Sequence, residues 1–329
     1  MRFDPDDADA VRGCHETWEA ARAADQPLDW PMSPRVLRCW LTRGWTAEPC
    51  ETWFVPGAAG VDGWYRLELP VRDNTERARL HIVVRPAARR HGLGTQLLRH
   101  AARRAAANGR VTLSGDVRAD CPGVPFAQQA GAAPGLVEAR RVLDVRAVPD
   151  GQTARLRATA AAAAGGYSIV SWEGVTPDEH LAQSAEVSNA INDAPRGDGV
   201  EAEAWDAARV REAEMFPLAG LRAYTLAALH DASGAIAAMS QLTVDPETPE
   251  LGHQGFTGVS RPHRGHRLGL LLKAAMLDWL ATAEPRVERI DTWNAAANQH
   301  MIAINEALGY EVRGSGAIAH ELPVAKVVD

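Results

Sequence analysis

The chain has 329 residues, of which 46% are hydrophobic and 23% charged, and its formal net charge is -7. This balance is typical of a globular protein, and the length favours two domains because single cores usually stop growing below it. The negative charge argues against a nucleic-acid backbone or an anionic membrane surface as the main partner. An acidic start and the lack of a long apolar run predict a cytoplasmic protein without a membrane span. Four scattered cysteines predict neither a zinc site nor a disulfide framework.

The first half carries a strand, a loop and a helix in succession. Residues 79–84 form a strand-like run, and after Gly94 leucines and alanines recur at helical spacing until Asn108-Gly109. A short strand at 111–113 and another helix follow. We expect the first of these helices to pack on a sheet through its apolar side.

The second half repeats this order of elements. VSRPHRGHRLGLLLK at 259–273 resembles VVRPAARRHGLGTQLL at 83–98, and a strand-like run precedes each copy. The following helix is apolar and stops at Glu284-Pro285, after which a strand at 289–292 and a last helix are predicted. The repeat predicts two domains of the same kind.

The boundary between the halves is predicted near residue 150. A strand-like segment at 140–148 ends there in Pro-Asp-Gly, which is a turn signal. The predicted domains are therefore residues 1–150 and 151–329. In the second, the run from Thr176 to Glu179 predicts a helix N-terminus with a capping box.

The loop from Arg89 to Gly94 carries the chemistry. Its two glycines stand where a strand turns into a helix, so backbone amides can approach a ligand without an intervening Cβ. Helix N-termini favour anions, so a pyrophosphate held by amides is indicated, with Arg89 or Arg90 supplying counter-charge. The motifs of dinucleotide-binding and P-loop proteins are both missing. The alternative is a tight turn with a solvated basic flank.

The pattern V-x-x-P-x-x-R-x-x-G-x-G, at Val83, Pro86, Arg89, Gly92 and Gly94, resembles the acetyl-CoA loop of GNAT N-acyltransferases. The second half is similar to the C-terminal part of actinobacterial tandem GNAT proteins, in HRGHRLG and in TWNAAANQHMIAINEALGY. The resemblance covers essentially the whole chain. It implies an α/β (α+β) chain of two tandem GNAT folds, each with a mixed, mostly antiparallel sheet, a splayed strand pair and flanking helices.

The resemblance also implies a set of residues that bind acetyl-CoA or another acyl-CoA. They are Val83, Val84, Arg89, Arg90, His91, Gly92, Leu93, Gly94 and Thr95 in the first half, and Val259, Arg264, His266, Arg267, Leu268, Gly269, Asn294 and Asn298 in the second. In the second loop Arg267 replaces the family's first glycine, and the segment after Pro262 is one residue shorter. Arg267 either reaches the pyrophosphate or crowds the amides. The family's acidic tyrosine is replaced by Ala127 and Asn305.

Direct transfer to an amine also needs a base. The candidates, all on or near predicted central strands, are Glu68, His81, Glu250 and His253. The alternative for each is a solvated carboxylate or a strand-end imidazole that never contacts substrate. For Asn298 the alternative is helix capping. Trp30, Trp40 and Trp45 either wall an acceptor site or belong to the core.

Two functions follow from these patterns. The first is an N-acyltransferase that uses acetyl-CoA to modify a small-molecule amine. The second is an acyl-CoA-binding regulatory or scaffold protein in which one or both domains are inactive, and the missing tyrosines motivate it. We expect no nucleic-acid or membrane partner, no metal, and a monomer or homodimer.

Overall fold

The computed structural model describes residues 1–44, 48–58 and 60–328, so Trp45 lies outside the described residues. The helices are α1 (Ala8–Asp25), α2 (Pro34–Thr42), α3 (Leu93–Ala107), α4 (Gly123–Gln129), α5 (Gln152–Ala163), α6 (Asp178–Ser188), α7 (Ala207–Gly220), α8 (Leu268–Ala283), α9 (Gln299–Leu308) and α10 (Ala325–Val328). The strands are β1 (Cys50–Gly57), β2 (Gly60–Glu68), β3 (Arg77–Val84), β4 (Thr112–Arg118), β5 (Ala133–Asp144), β6 (Tyr167–Glu173), β7 (Arg222–His230), β8 (Ala235–Val244), β9 (Leu251–Val259), β10 (Arg289–Ala295), β11 (Glu311–Val312) and β12 (Ala317–Pro323).

The chain forms two compact units. The first comprises Met1–Glu138, Arg196–Glu201 and Gly314–Asp329, and the second comprises Ala139–Pro195 and Ala202–Arg313. Each unit has its own apolar core beneath a long helix, α3 in the first unit and α8 in the second. The two copies of the sequence motif therefore lie in separate units.

The sheet of the first unit runs in the order β1, β2, β3, β4, β12, β5. Its described neighbours pair antiparallel except β3 with β4, which run parallel. Adjacent residues of β2 contact opposite helices, since Trp64 donates to the Cys14 carbonyl in α1 while Tyr65 bonds His100 in α3. Because strand side chains alternate between faces, α1 and α3 cover opposite faces of this sheet.

In the second unit β6, β7, β8 and β9 pair antiparallel in sequence, β9 pairs parallel with β10, and β11 pairs antiparallel with β5. Leu242 and Ile290 pack with α8, whereas Met239 packs with Trp172 and with Val187 of α6. Helices therefore cover both faces of this sheet as well. The predicted fold class, a mixed and mostly antiparallel sheet flanked by helices in each unit, is confirmed.

The compact units differ from the predicted segments 1–150 and 151–329. Strand β12 pairs with β4 along its whole length, and Leu322 and Val324 lie in the core of the first unit. The last residues of the chain thus complete the first unit, and the first of the boundaries between the units falls within β5, after Glu138. A sequence repeat locates two copies of a motif, but it carries no information on which sheet a later strand joins.

The predicted capping box at the start of α6 is wrong, although the helix itself is confirmed. The backbone N–H of Thr176 donates to Glu214 Oε1 at 2.9 Å, and the Thr176 hydroxyl donates to the same oxygen. Pro177 is the N-cap residue and provides no side-chain bond. The buried Glu214 carboxylate accepts both of the donors of Thr176, so that threonine braces α7 rather than capping α6.

Candidate functional site

The loop of the first unit leaves β3 after Val84 and enters α3 at Leu93. Arg90 and Gly92 adopt left-handed conformations with φ of 67° and 83°. Gly92 is the N-cap of α3 and has no side chain to cap the helix, so the first amides of α3 keep their bonding capacity. Amides around left-handed residues form an anion-binding concavity, and the residues present therefore fit a phosphate.

The loop of the second unit has the same backbone course. Gly265 and Arg267 are its left-handed residues, with φ of 89° and 54°, and Arg267 is the N-cap of α8. Both loops have the same number of residues between strand and helix, 85–92 and 260–267. The segment after Pro262 is nevertheless one residue shorter, because this proline stands one position later in its turn than the proline of the first loop.

The two loops have exchanged a glycine and an arginine. Arg90 of the first loop corresponds to Gly265 of the second, and Gly92 corresponds to Arg267. Each loop thus holds one non-glycine residue in the left-handed region, which costs about 1 kcal/mol. Arg267 is exposed and forms the turn that glycine forms in the first unit. The replaced glycine leaves the course of the loop unchanged.

The second glycine of each loop has a packing role. A Cβ on Gly94 would lie 3.3 Å from Cε2 of Phe126 in α4, and one on Gly269 would lie 3.4 Å from Cδ1 of Ile304 in α9. Neither glycine has a positive φ. Gly94 and Gly269 therefore allow α4 and α9 to approach closely. In the first loop, the left-handed conformation that the turn requires is adopted by Gly92.

One arginine of each loop, Arg89 or Arg264, binds a carboxylate of the protein itself. Arg89 donates from Nε to the Val84 carbonyl at 3.0 Å, and from Nη1 and Nη2 to the two oxygens of Asp25 at 2.7 Å each. Arg264 donates from Nε to the Val259 carbonyl at 3.2 Å and pairs with Asp193. The counter-charge predicted from Arg89 is thus already engaged in this structure.

A splayed strand pair lies beside each loop. Strands β3 and β4 pair in register only as far as Arg79 and Ser114, and strands β9 and β10 only as far as His253 and Asp291. Beyond these points β3 is not paired with β4, and β9 is not paired with β10, in the part of the chain that the structure describes. Unpaired strand edges suit an extended ligand that carries amides.

The second unit has a β-bulge in β9 next to this gap. Ser240 of β8 faces Thr257 while Leu242 faces Gln254, so two residues of β9 stand opposite one of β8. The pairing of β2 with β3 runs without such a shift. Bulges are common beside active sites because they redirect local groups. The two units therefore differ at the position where chemistry is expected.

His253 stands at the bottom of the splay in the second unit. Its Nδ1 lies 2.7 Å from Asp291 Oδ1, and Asp291 Oδ2 accepts from Arg140 Nε at 2.9 Å. Burial acts to lower the pKa of His253, but the charge of Asp291 and its hydrogen bond outweigh burial and raise that pKa. The side chain is 46% exposed, so it is accessible to a ligand. This arrangement is that of an oriented general base.

The candidate bases of the first unit are enclosed. The His81 ring lies 4.9 to 5.7 Å from the rings of Trp18, Trp40 and Trp64. Burial, with smaller effects of nearby arginines, lowers the pKa of His81 to about 4. Glu68 is buried and paired with Arg66 at 2.8 Å. Trp40 belongs to the core, which is one of the two alternatives that the sequence left open for it.

The remaining candidates of the second unit have positions or contacts that differ from those of His253. Glu250 precedes β9, at the end of the strand away from the loop. Asn298 is the N-cap of α9 and accepts from the backbone of Met301, which is the capping role weighed above. Asn294 is buried on β10 and accepts from Asn305 Nδ2 at 2.7 Å.

The other predicted cofactor residues frame the loops. His91 and Thr95 are exposed, Val83 is buried beside the splay, and Leu268, the first residue of α8, is fully buried. His266 packs on the Tyr167 ring with centroids 5.2 Å apart.

The sequence reasoning missed four partners. They are Asp291 and Arg140 at His253, and Asp25 and Asp193 at the loop arginines. Their signal is the register of strands and the approach of distant helices, neither of which a local pattern contains.

Comparison with known proteins gives concordant results. Residues 16–131 match the model of the acetyltransferase (GNAT) family. A solved structure of a tandem GNAT protein from the clavulanic acid biosynthesis pathway, without AcCoA, is 28% identical, covers 98% of both chains and has a TM-score of 0.79. No curated protein matches the chain significantly by sequence.

A GCN5-related N-acetyltransferase from Sphaerobacter thermophilus shares the fold, with 19% identity, a TM-score of 0.65 and coverage of 98% of this chain and 95% of its own. Among the described helices, none combines the length and the apolar composition that a membrane-crossing segment needs. Two similar loops, two splayed strand pairs and these matches lead to one assignment. The whole chain has the fold of a tandem GNAT protein, and residues 16–131 match the acetyltransferase (GNAT) family.

Proposed function

We propose that this protein is a CoA-dependent N-acyltransferase that moves an acetyl group directly from acetyl-CoA to the amine of a small molecule, with catalysis in the second unit. The observation that carries the proposal is the His253–Asp291 pair, which lies where β9 and β10 begin to splay, on the strand that leads into an anion-binding loop. The four cysteines are free, which suits a reducing compartment such as the cytoplasm.

Binding is assigned to the loops and to the splayed strands. The amides at the start of α8, around Arg267, suit a pyrophosphate, and the unpaired edge of β9 after His253 suits the amides of a pantetheine arm. Acetyl-CoA supplies a thioester whose carbonyl carbon is open to attack by an amine. The protein must then supply orientation and a place for the proton.

His253 is the proposed proton acceptor. Since Asp291 accepts from Nδ1–H, the neutral ring presents an unprotonated Nε2 that takes a proton from the acceptor ammonium. Asp291 then stabilises the imidazolium, and Arg140 holds Asp291 in place. Attack then forms the N–C bond and breaks the C–S bond. The second proton that the nitrogen loses passes to the departing thiolate, and the proton taken up by His253 is released to solvent, since Asn305 stands where the family's proton-donating tyrosine would.

A second function is favoured for the first unit, in which we propose that acyl-CoA binds without transfer. Its loop has the same course as that of the second unit. However, His81 is enclosed by aromatic rings with a pKa of about 4, and Glu68 is held by Arg66. A base that is both accessible and oriented is therefore found in the second unit of the described structure.

The test is release of free CoA thiol from acetyl-CoA with a panel of small amines. We expect His253→Asn to lower kcat/KM by roughly 10²- to 10⁴-fold, as loss of a general base does. His81→Asn is the matched control, and its kcat/KM should stay within about threefold of the unmodified protein. The reverse pattern would assign catalysis to the first unit. If none of the amines in the panel led to release of CoA thiol, that result would contradict the proposed function.

A further inference from the structure

We propose that Asp25 and Asp193 are positioning residues for the two cofactor loops. Each carboxylate holds the loop arginine and thereby fixes the turn whose amides take the pyrophosphate. The inference rests on the proposed function, because it assigns a role to residues outside the loops in binding the same cofactor.

In the first unit the arginine is fixed on three sides. The guanidinium of Arg89 forms a two-pronged bond to Asp25 at 2.7 Å for each N–O pair, while its Nε donates to the Val84 carbonyl. The side chains of Arg89 and Asp25 are only 23% and 19% exposed. Two-pronged bonds between a guanidinium and a carboxylate are among the stronger hydrogen bonds in proteins and they fix orientation.

The second unit has the same arrangement, built from a different element. Asp25 is the last residue of α1, whereas Asp193 ends the short 3-10 helix Asn189–Asp193. Asp193 accepts from Arg264, which also donates to the Val259 carbonyl, and from Arg261. The hydrogen bonds from Arg261 and Arg264 hold the pKa of Asp193 far below its usual range, so this carboxylate stays charged.

The repetition is informative because the residues around it differ. The loops have exchanged their glycine and arginine at the left-handed positions, yet in each the arginine before those positions is held by a carboxylate. The residue after Arg89, Arg90, is itself left-handed, a conformation that the unbraced chain would leave readily. A turn held before ligand arrival loses less entropy on binding.

The pairing of each loop arginine with a carboxylate also determines which groups of the loop are available to a ligand. With Arg89 and Arg264 engaged by carboxylates, the phosphate contacts fall to the neutral amides and the helix N-terminus rather than to these guanidinium groups. In the first unit the bracing helix α1 also carries Trp18, which packs on His81 on the opposite face of the sheet from α3. The cofactor loop is thereby linked to the other face.

The test is calorimetric titration of the full chain with acetyl-CoA. We expect Asp25→Asn to weaken one binding site about tenfold and Asp193→Asn to weaken the other by a similar factor. Asp25→Glu, which keeps a carboxylate, should restore affinity to within about threefold of the unmodified protein.

The matched control is Asp29→Asn. Asp29 pairs with Arg118 in the same unit at similar exposure, 16% and 22%, and Arg118 belongs to β4 rather than to the loop. It should lower the thermal midpoint as Asp25→Asn does and leave acetyl-CoA affinity unchanged. Unchanged or tighter binding by Asp25→Asn and Asp193→Asn, in a protein that binds acetyl-CoA, would overturn the inference alone. Absence of binding by the unmodified protein would overturn the proposed function, and the inference with it.

Discussion

Acid should destabilise the first unit through His81. Burial first, and then the charges of Arg66 and Arg118, lower the pKa of this histidine to about 4, from an ordinary value near 6.5. The unfolded chain therefore takes up a proton at a higher pH than the folded chain does. The stabilising effect of the neutral His81 on the folded state is therefore fully present above about pH 6.5 and is lost as the pH falls toward 4. At pH 5 the free energy of unfolding is lower by about 2 kcal/mol.

The assay is urea unfolding at pH 7 and pH 5, followed by tryptophan fluorescence. Six of the ten tryptophans, at positions 18, 30, 40, 45, 53 and 64, precede the first loop, so the signal is weighted toward the first unit. His81→Phe keeps an aromatic ring and cannot take a proton. The unmodified protein should lose about 2 kcal/mol more than His81→Phe between the two pH values. An equal loss in both proteins would refute the reasoning.

Three further predictions concern the second unit and the helix packing. Asp291 raises the pKa of His253 and Arg140 lowers it. Asp291→Asn should therefore move the acid limb of the pH-rate profile to lower pH, and Arg140→Gln should move it to higher pH. Shifts of the same sign in the two variants would contradict this. Arg267→Gly should leave acetyl-CoA affinity unchanged in calorimetry and change unfolding free energy by no more than about 1 kcal/mol, since both residues suit the same turn. Gly94→Val should lower the thermal midpoint by displacing α4, and an unchanged midpoint would contradict the packing role.

The sequence predicted the parts of the fold that local patterns encode. The repeat at 83–98 and 259–273 located both strand-loop-helix segments, and the buried face of α3, with Leu97 and Ala101, followed the predicted spacing. The turn into α3 was local as well, because Gly92 and the helix N-terminus are adjacent in the chain. The segment after Pro262 is one residue shorter although the loop is not, because the turn accepts proline at either of two positions.

Non-local features were beyond the reach of these patterns. Strands β12 and β4 pair although their residues lie about two hundred positions apart, and the local sequence of either strand does not indicate which strand it pairs with. His253 was a candidate by its strand, but its distinction from His81 depends on Asp291 in the neighbouring strand and on the tryptophans around the other ring. Register and packing, rather than residue type, separate an accessible base from a core histidine.

The most direct test of the account is the stoichiometry of acetyl-CoA binding to the purified full chain, measured by calorimetry. Because the loops of the two units share one backbone course, the account predicts two molecules bound per chain. One molecule per chain would contradict the equivalence of the loops, and no saturable binding to folded protein would contradict the assignment of acyl-CoA as the ligand.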